Sequence, residues 1–326
     1  MKLHPLWADY PTLQKELIET RTLMESSVRL KNKEVEQAIL TMIESGGKLL
    51  RPAYQLLFSR FGVENDRKKA IAIAASIELL HTATLIHDDI VDEADTRRGV
   101  ASIRSKFGNS TAVYAGDYLF VSCFKLMSDY ASSLKSLQLH SKSMEKILNG
   151  ELGQMDHRYQ YTITIEDYLD TISGKTAELF ALSCGIGALE SGTSERFAKK
   201  ASDIGMAIGM AFQIIDDVLD YSQTDQSLGK PVLNDVKQGV YSLPLIISLS
   251  EQSPELLALI KKQTSMTTED QQRIWEIVHE TKGVEKAYQY AIDYTQKALK
   301  LISSLPDSPQ KKELVQLTKT ILDRIN

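Results

Sequence analysis

Residues 66–92 read DRKKAIAIAASIELLHTATLIHDDIVD. From Ala70 to Ile86 the run is apolar around almost its whole circumference, interrupted by Glu78 and His81, and it holds no Pro or Gly. A surface helix carries one apolar stripe, whereas a helix apolar on nearly all sides is buried in a large core or a membrane. Asp66 stands at the N-cap position, so the run predicts a helix from Arg67 to about Asp92. A second run, from Ile204 to Leu219, repeats the pattern and is interrupted by Gln213, Asp216 and Asp217. Polar groups inside both runs favour core helices of a large bundle over membrane spans, so the protein is not expected to be integral to a membrane.

The rest of the chain agrees. Apolar residues recur at helical spacing over 9–29, 34–43 and 53–61. Further helices are predicted over 112–128, 134–150, 165–184, 195–221, 243–250, 270–279, 283–301 and 308–325. Period-two alternation is scarce, and no linker, low-complexity tract or fixed-period repeat is present. These features predict an all-α fold, a helical bundle forming one domain over residues 1–326. The longest irregular stretch, 222–242, contains Gly229, Pro231 and Gly239 and follows an acidic motif directly; a loop of that length is usually functional or disordered.

A formal net charge of −5 and the lack of a basic tail exclude nucleic acid as an expected partner. Cys123 and Cys184, the two cysteines, are too few for a metal cluster. The opening residues Met1 to Trp7 have no apolar signal-like run, so a cytoplasmic protein with free thiols is expected. No Gly-x-Gly-x-x-Gly follows a strand, which argues against a dinucleotide site.

Chemistry is concentrated in an acidic pattern that occurs twice. His87-Asp88-Asp89-Ile90-Val91-Asp92 and Gln213-Ile214-Ile215-Asp216-Asp217-Val218-Leu219-Asp220 each contain Asp-Asp-x-x-Asp at the end of an apolar helix. Positions i and i+4 share a helix face, so Asp88 pairs with Asp92 and Asp216 with Asp220. Two like charges about 4 Å apart repel by roughly 4 kcal/mol at an effective dielectric near 20. The helix C-terminus adds negative potential. Hard divalent cations between the carboxylates remove that cost, and Mg²⁺ commonly binds through one or two carboxylates plus substrate phosphates. No EF-hand loop is present.

A basic set accompanies the acids. Ser45-Gly46-Gly47-Lys48-Leu49-Leu50-Arg51-Pro52 places Lys48 and Arg51 one helical turn apart; its spacing is not that of a Walker loop. Arg97-Arg98, Lys175-Thr176 and Gly229-Lys230 lie farther along. A single such residue is usually a surface charge. Together with acidic, metal-binding faces they suit diphosphate, with Arg offering bidentate contacts. His81 alone on an apolar helix would ordinarily be a core histidine.

From about Gly46 to Pro244 these motifs resemble the trans-polyprenyl diphosphate synthases, the farnesyl, geranylgeranyl and longer-chain family, and most of all a hexaprenyl- or heptaprenyl-type large subunit. The resemblance implies a bundle of roughly a dozen helices around a deep cavity, usually dimeric. It implies two or three Mg²⁺ ions, with Asp88, Asp92 and Asp216 as ligands and Asp89, Asp217 and Asp220 in support. The catalytic set is Asp88, Asp89, Asp92, Lys175, Asp216 and Asp217. Arg97, Lys175, Thr176, Gln213 and Lys230 match positions that hold the allylic diphosphate. Lys48, Arg51, His81 and Arg98 match those that hold isopentenyl diphosphate. Val240 departs from the pattern, since many relatives have Lys there; Lys237 is near in sequence.

The implied reaction is ionisation of an allylic diphosphate, attack by isopentenyl diphosphate, and proton loss to the departing diphosphate. Product length is expected to depend on Ala83 and Thr84, about 6–8 Å before Asp88 by helix rise, and then on Leu80 and Ile77. Small residues there favour a long product, hexaprenyl to octaprenyl, as for a quinone side chain; a geranylgeranyl or farnesyl product is the alternative. A terpene cyclase would normally lack the second Asp-Asp-x-x-Asp. A non-catalytic subunit would be expected to have lost acids or bases. The implied assembly is a homodimer, or a heterodimer with a small regulatory subunit.

Overall fold

A computed structural model describes residues 3–222 and 233–323. Lys230 and residues 223–232 of the predicted 222–242 loop lie outside the described residues. The helices are α1 (Pro11–Ser27), α2 (Lys33–Glu44), α3 (Leu50–Phe58), α4 (Arg67–Val91), α5 (Ile103–Phe107), α6 (Asn109–Tyr130), α7 (Leu134–Asp156) and α8 (Ile165–Ile172). They continue with α9 (Glu178–Glu190), α10 (Glu195–Ser222), α11 (Asn234–Lys237), α12 (Leu243–Ser250), α13 (Pro254–Ile260), α14 (Thr268–Glu280), α15 (Gly283–Ser303) and α16 (Pro309–Leu322). A two-residue hairpin, β1 (Thr96–Arg97) and β2 (Val100–Ala101), is the only sheet among the described residues.

The contacts divide into two compact units. One comprises Met1–Ser141 with Leu182–Ser202, the other Lys142–Ala181 with Asp203–Asn326. In the first, α4 packs against α1, α3 and α6. Asp66 caps α4 as the sequence predicts, its side chain accepting from the Lys69 N–H. By length and composition α4 could cross a membrane, yet 78% of its most apolar window is buried inside the protein, as a core helix requires. In the second unit, α12 packs against α8, α14 and α15, and α15 against α16. Capping boxes at Thr164 with Asp167 and at Thr267 with Asp270 start α8 and α14.

The expected helix over 165–184 is present, but it is not α throughout. After α8 the backbone widens into one π turn, Ser173–Ala177, before α9 begins. Such bulges occur mostly inside α-helices and often at functional sites. Periodicity cannot register one extra residue per turn, so the sequence reads straight through it.

Candidate active site

The first acidic motif closes α4. Asp92 is the C-cap, its N–H bonding the Asp88 and Ile90 carbonyls. Glu93 follows in the left-handed region at φ 51°. The Ala94 N–H reaches back to the Asp89 carbonyl at 2.9 Å, and Glu93 to Ile90 at 3.4 Å. This is a Schellman ending, reached here without glycine. It fixes the backbone that carries Asp88 and Asp92, both half-buried on one helix face.

Asp89 does something different. It is only 2% exposed. Arg97 grips its Oδ1 through Nε at 2.7 Å and Nη2 at 2.6 Å. Burial raises the Asp89 carboxyl above its ordinary value, and Arg97 opposes that. Arg97 ends the first strand of the hairpin, directly before its turn. Arg98 and Gly99 at its tip both have positive φ, 52° and 78°, as a type I′ turn demands. The hairpin therefore ties one arginine to the acidic motif and presents the other.

Arg98 lies against the Gly46-Gly47 pair. A Cβ on Gly47 would sit 3.0 Å from Arg98 Nη2, so glycine here makes room for the guanidinium. The loop is pinned from the other side by Trp7, fully buried, whose indole N–H donates to the Lys48 carbonyl at 2.8 Å. Leu49, at φ 53°, turns the chain into α3. On α3, Arg51 Nη1 approaches His81 Nε2 at 3.3 Å. A guanidinium only donates, so Nε2 accepts and the imidazole is the neutral Nδ1–H form. Burial, then the charges of Arg51, Arg98 and Arg97, hold His81 well below the ordinary histidine value. Glu78, one turn earlier on α4, is buried; desolvation raises its carboxyl while Arg51 and Arg98 oppose the rise.

His87 anchors the motif to α6. Its Nε2 lies 3.3 Å from Asp117 Oδ1 and its ring 5.2 Å from that of Phe120. It lies across Gly116, where a Cβ would come within 2.5 Å of Nε2. Farther back on α4, Ile77, Leu80 and Ala83 are 0, 1 and 0% exposed. Thr84 is half-buried and donates its hydroxyl to the His81 carbonyl at 2.8 Å.

In the second unit, Lys175 and Thr176 sit in the π turn. Lys175 Nζ contacts Glu151 Oε2 and Gln154 Oε1 of α7, each at 2.8 Å. The approach depends on facing glycines: a Cβ on Gly150 would lie 2.4 Å from the Lys175 backbone N. Thr176 donates to Gln213 Oε1 at 2.8 Å. Gln213 Nε2 in turn donates to Asp217 Oδ1 at 2.8 Å, and Tyr168 donates to Asp217 Oδ2 at 2.6 Å. Asp217 is thus turned inward, and burial raises it to about 7, with the two hydrogen bonds opposing. Asp216 is half-buried and Asp220 exposed on the next face. Desolvation of its carboxyl, then Asp235 and Asp216, raise Asp220 to about 6.

Among the described residues no three His, Cys, Asp or Glu side chains gather closely enough to hold a metal unaided. Hard carboxylate oxygens paired on one helix face still fit Mg²⁺ that takes its remaining ligands from phosphate and water. Glu78, His87, Glu151, Gln154 and Tyr168 were not legible as site residues. Only the Glu151-x-x-Gln154 spacing, one turn apart after Gly150, gave a local signal.

A family profile described as polyprenyl synthetase matches residues 32–281. The chain belongs to the polyprenyl synthetase family. It is 34% identical over 302 residues to heptaprenyl diphosphate synthase component 2 of Geobacillus stearothermophilus, covering 92% of this chain and 93% of that protein. It is 34% identical over 287 residues to octaprenyl diphosphate synthase of Escherichia coli, with 87 and 88% covered. Its fold matches a crystal structure of geranylgeranyl pyrophosphate synthase from Lactobacillus brevis with a TM-score of 0.94 and 43% identity, covering 98% of this chain and 99% of that one. Membership makes the protein a prenyltransferase.

Proposed function

We propose that this polyprenyl synthetase condenses isopentenyl diphosphate with an allylic diphosphate in a Mg²⁺-dependent reaction and makes a long-chain polyprenyl diphosphate for a quinone side chain. One observation supports this most directly. The cationic group of Arg51, Arg98 and neutral His81 lies on the same unit as the Asp88/Asp92 face, and His81 precedes Asp88 by two turns of α4, roughly 10 Å of helix rise. A cationic pocket and an acidic face at that separation suit two diphosphates, one held by basic groups alone and one through cations.

Asp88 and Asp92 on one unit and Asp216 on the other would each hold Mg²⁺, which would neutralise the allylic diphosphate and make it a better leaving group. Lys175 and Thr176 bind and orient that group. Lys48, Arg51, His81 and Arg98 hold isopentenyl diphosphate; neutral His81 donates through Nδ1–H and places no proton on the nucleophile. The apolar wall of α4, with Ile77, Leu80 and Ala83, excludes water from the cation. No side chain is assigned as the base, which leaves the departing diphosphate to take the proton. The small Ala83 supports a long product, as do the heptaprenyl and octaprenyl relatives. A geranylgeranyl product is the second reading, favoured by the 43% identity to the Lactobacillus brevis protein.

The whole chain, 1–326, is proposed to work as one catalytic domain, in line with matches that span nearly all of it. A cytoplasmic setting is supported by Cys123 and Cys184 being free thiols. Homodimers through the exposed apolar face of α6 are proposed, with a heterodimer as the alternative suggested by the component 2 relative. The deciding experiment incubates pure protein with Mg²⁺, farnesyl diphosphate and labelled isopentenyl diphosphate and sizes the dephosphorylated products. Chains of six to eight prenyl units are expected, EDTA abolishing and Mg²⁺ restoring turnover. Asp88→Ala and Asp216→Ala should each lower kcat by about 10³ or more with helix content unchanged. Undiminished turnover in chelator rejects the reading.

A further inference from the structure

We propose that Tyr168 is a positioning residue for the second acidic motif, acting through Asp217; the proposal rests on the function given above. Asp217 and Gln213 are one turn apart on α10 and share a face, and that face is fully engaged inside its unit. Tyr168 of α8 donates to one carboxylate oxygen at 2.6 Å, and Gln213 to the other at 2.8 Å. Thr176, in the π turn, donates to Gln213 in its turn. The result is a continuous chain of donors, Thr176 to Gln213 to Asp217, closed from the far side by Tyr168.

The chain fixes the rotation of the end of α10. Successive residues on an α-helix are about 100° apart. With Asp217 held inward, Asp216 and Asp220 must lie on the adjacent face, and they are indeed the half-buried and exposed members of the motif. Tyr168 is 4% exposed and Asp217 8%, so the bond between them is shielded from competing water. A tyrosine is better suited to this than phenylalanine for one reason only: it supplies the donor. The same network makes the Lys175-Thr176 segment sensitive to the state of the second motif, because Thr176 has Gln213 as its partner. Tyr168 is assigned no contact with substrate or cation; it acts through Asp217.

The test compares wild type with Tyr168→Phe, Asp217→Asn and the double variant. Mn²⁺ binding is followed by electron paramagnetic resonance with farnesyl thiolodiphosphate, an unreactive allylic analogue, and Mg²⁺ activation is measured in parallel. Tyr168→Phe should weaken Mn²⁺ binding and raise both the Mg²⁺ activation constant and the allylic KM by about tenfold, the scale of one hydrogen bond to a charged group. The isopentenyl diphosphate KM should stay within about twofold, and adding Tyr168→Phe to Asp217→Asn should cost little more than Asp217→Asn alone. If Tyr168→Phe lowers the melting temperature but leaves Mn²⁺ affinity and the activation constant unchanged, Tyr168 is a core contact only and the proposal fails. It fails equally if the two substitutions have additive effects. Failure of the wild type to bind Mn²⁺ with the analogue, or to turn over, would instead count against the function proposed above.

Discussion

Single atoms decide much of the site. The Gly46-Gly47 pair reads in sequence as flexibility before a basic turn, but its structural use is space. A Cβ on Gly47 meets the end of Arg98, a flexible side chain that can yield; a Cβ on Gly46 meets the Ile43 carbonyl at 2.6 Å, which cannot. Gly47→Ala should therefore displace Arg98, raising the isopentenyl diphosphate KM about tenfold with a melting temperature within a few degrees of wild type. Gly46→Ala should mainly destabilise. Equal isopentenyl diphosphate KM values in Gly47→Ala and wild type would remove Arg98 from that site. His140 offers a second test. It is 1% exposed, bonded to Cys123 Sγ at 3.4 Å, and burial lowers it to about 4. A histidine depressed in the folded state binds its proton more readily when unfolded. Its stability contribution is thus full above about pH 6.5 and is lost as pH falls towards 4, by about 3 kcal/mol in total. His81, also depressed, acts in the same direction. Urea unfolding at pH 7 and pH 4.5 should show a smaller loss for His140→Phe than for wild type; identical losses would show that His140 is not the source.

At the scale of elements, what was legible followed periodicity and what was missed did not. Asp66, the apolar run and the two acidic endings announce α4 and α10 because hydrophobic period and capping chemistry act locally. The hairpin at Thr96–Ala101 was missed because two-residue strands have no period to detect, although Arg98-Gly99 carries the turn. The π turn was missed because one extra residue leaves composition unchanged. The engaged roles of Asp89 and Asp217 were equally hidden, since the sequence shows six motif acids as equals and only tertiary partners, Arg97 and Tyr168, separate inward from outward. The length of α4 also carries the product-size argument. Ala83 is fully buried and lies one turn before the acidic face, between the acidic ending and Leu80. Close-packed interiors do not make room for an added ring without displacement. Ala83→Tyr should shorten products to farnesyl or geranylgeranyl diphosphate while the first condensation continues at about the wild-type rate. Wild-type product length at wild-type speed would show that the growing chain passes elsewhere.

For the whole molecule, burial leaves an account unsettled on one helix. The inner face of α6 packs on α4, and Ala112, Ala115, Leu119 and Cys123 on that side are buried. Its opposite side keeps Tyr114 at 74%, Val121 at 64% and Phe124 at 42% exposure. Tyr114 and Val121 are seven residues apart, two turns, so they share a face, and Phe124 stands one turn beyond. Sequence reading could predict the helix but not which apolar positions the fold would leave over, since that depends on where α4 sits. Scattered exposed hydrophobics are ordinary, whereas several along one helix face mark a surface that another protein covers. A second copy of the chain is the occupant proposed, because a two-fold axis lets the same stripe cover itself. Sedimentation of the purified chain at micromolar concentration should give about twice the 36.5 kDa monomer mass. Tyr114→Lys with Val121→Lys should give monomers, since paired lysines across a two-fold repel and are costly to desolvate. Helix content should be kept, because neither residue contributes to the core. A wild-type monomer that elongates at full rate would exclude the homodimer, and a monomer inactive until a small second subunit is added would establish the heterodimer in its place.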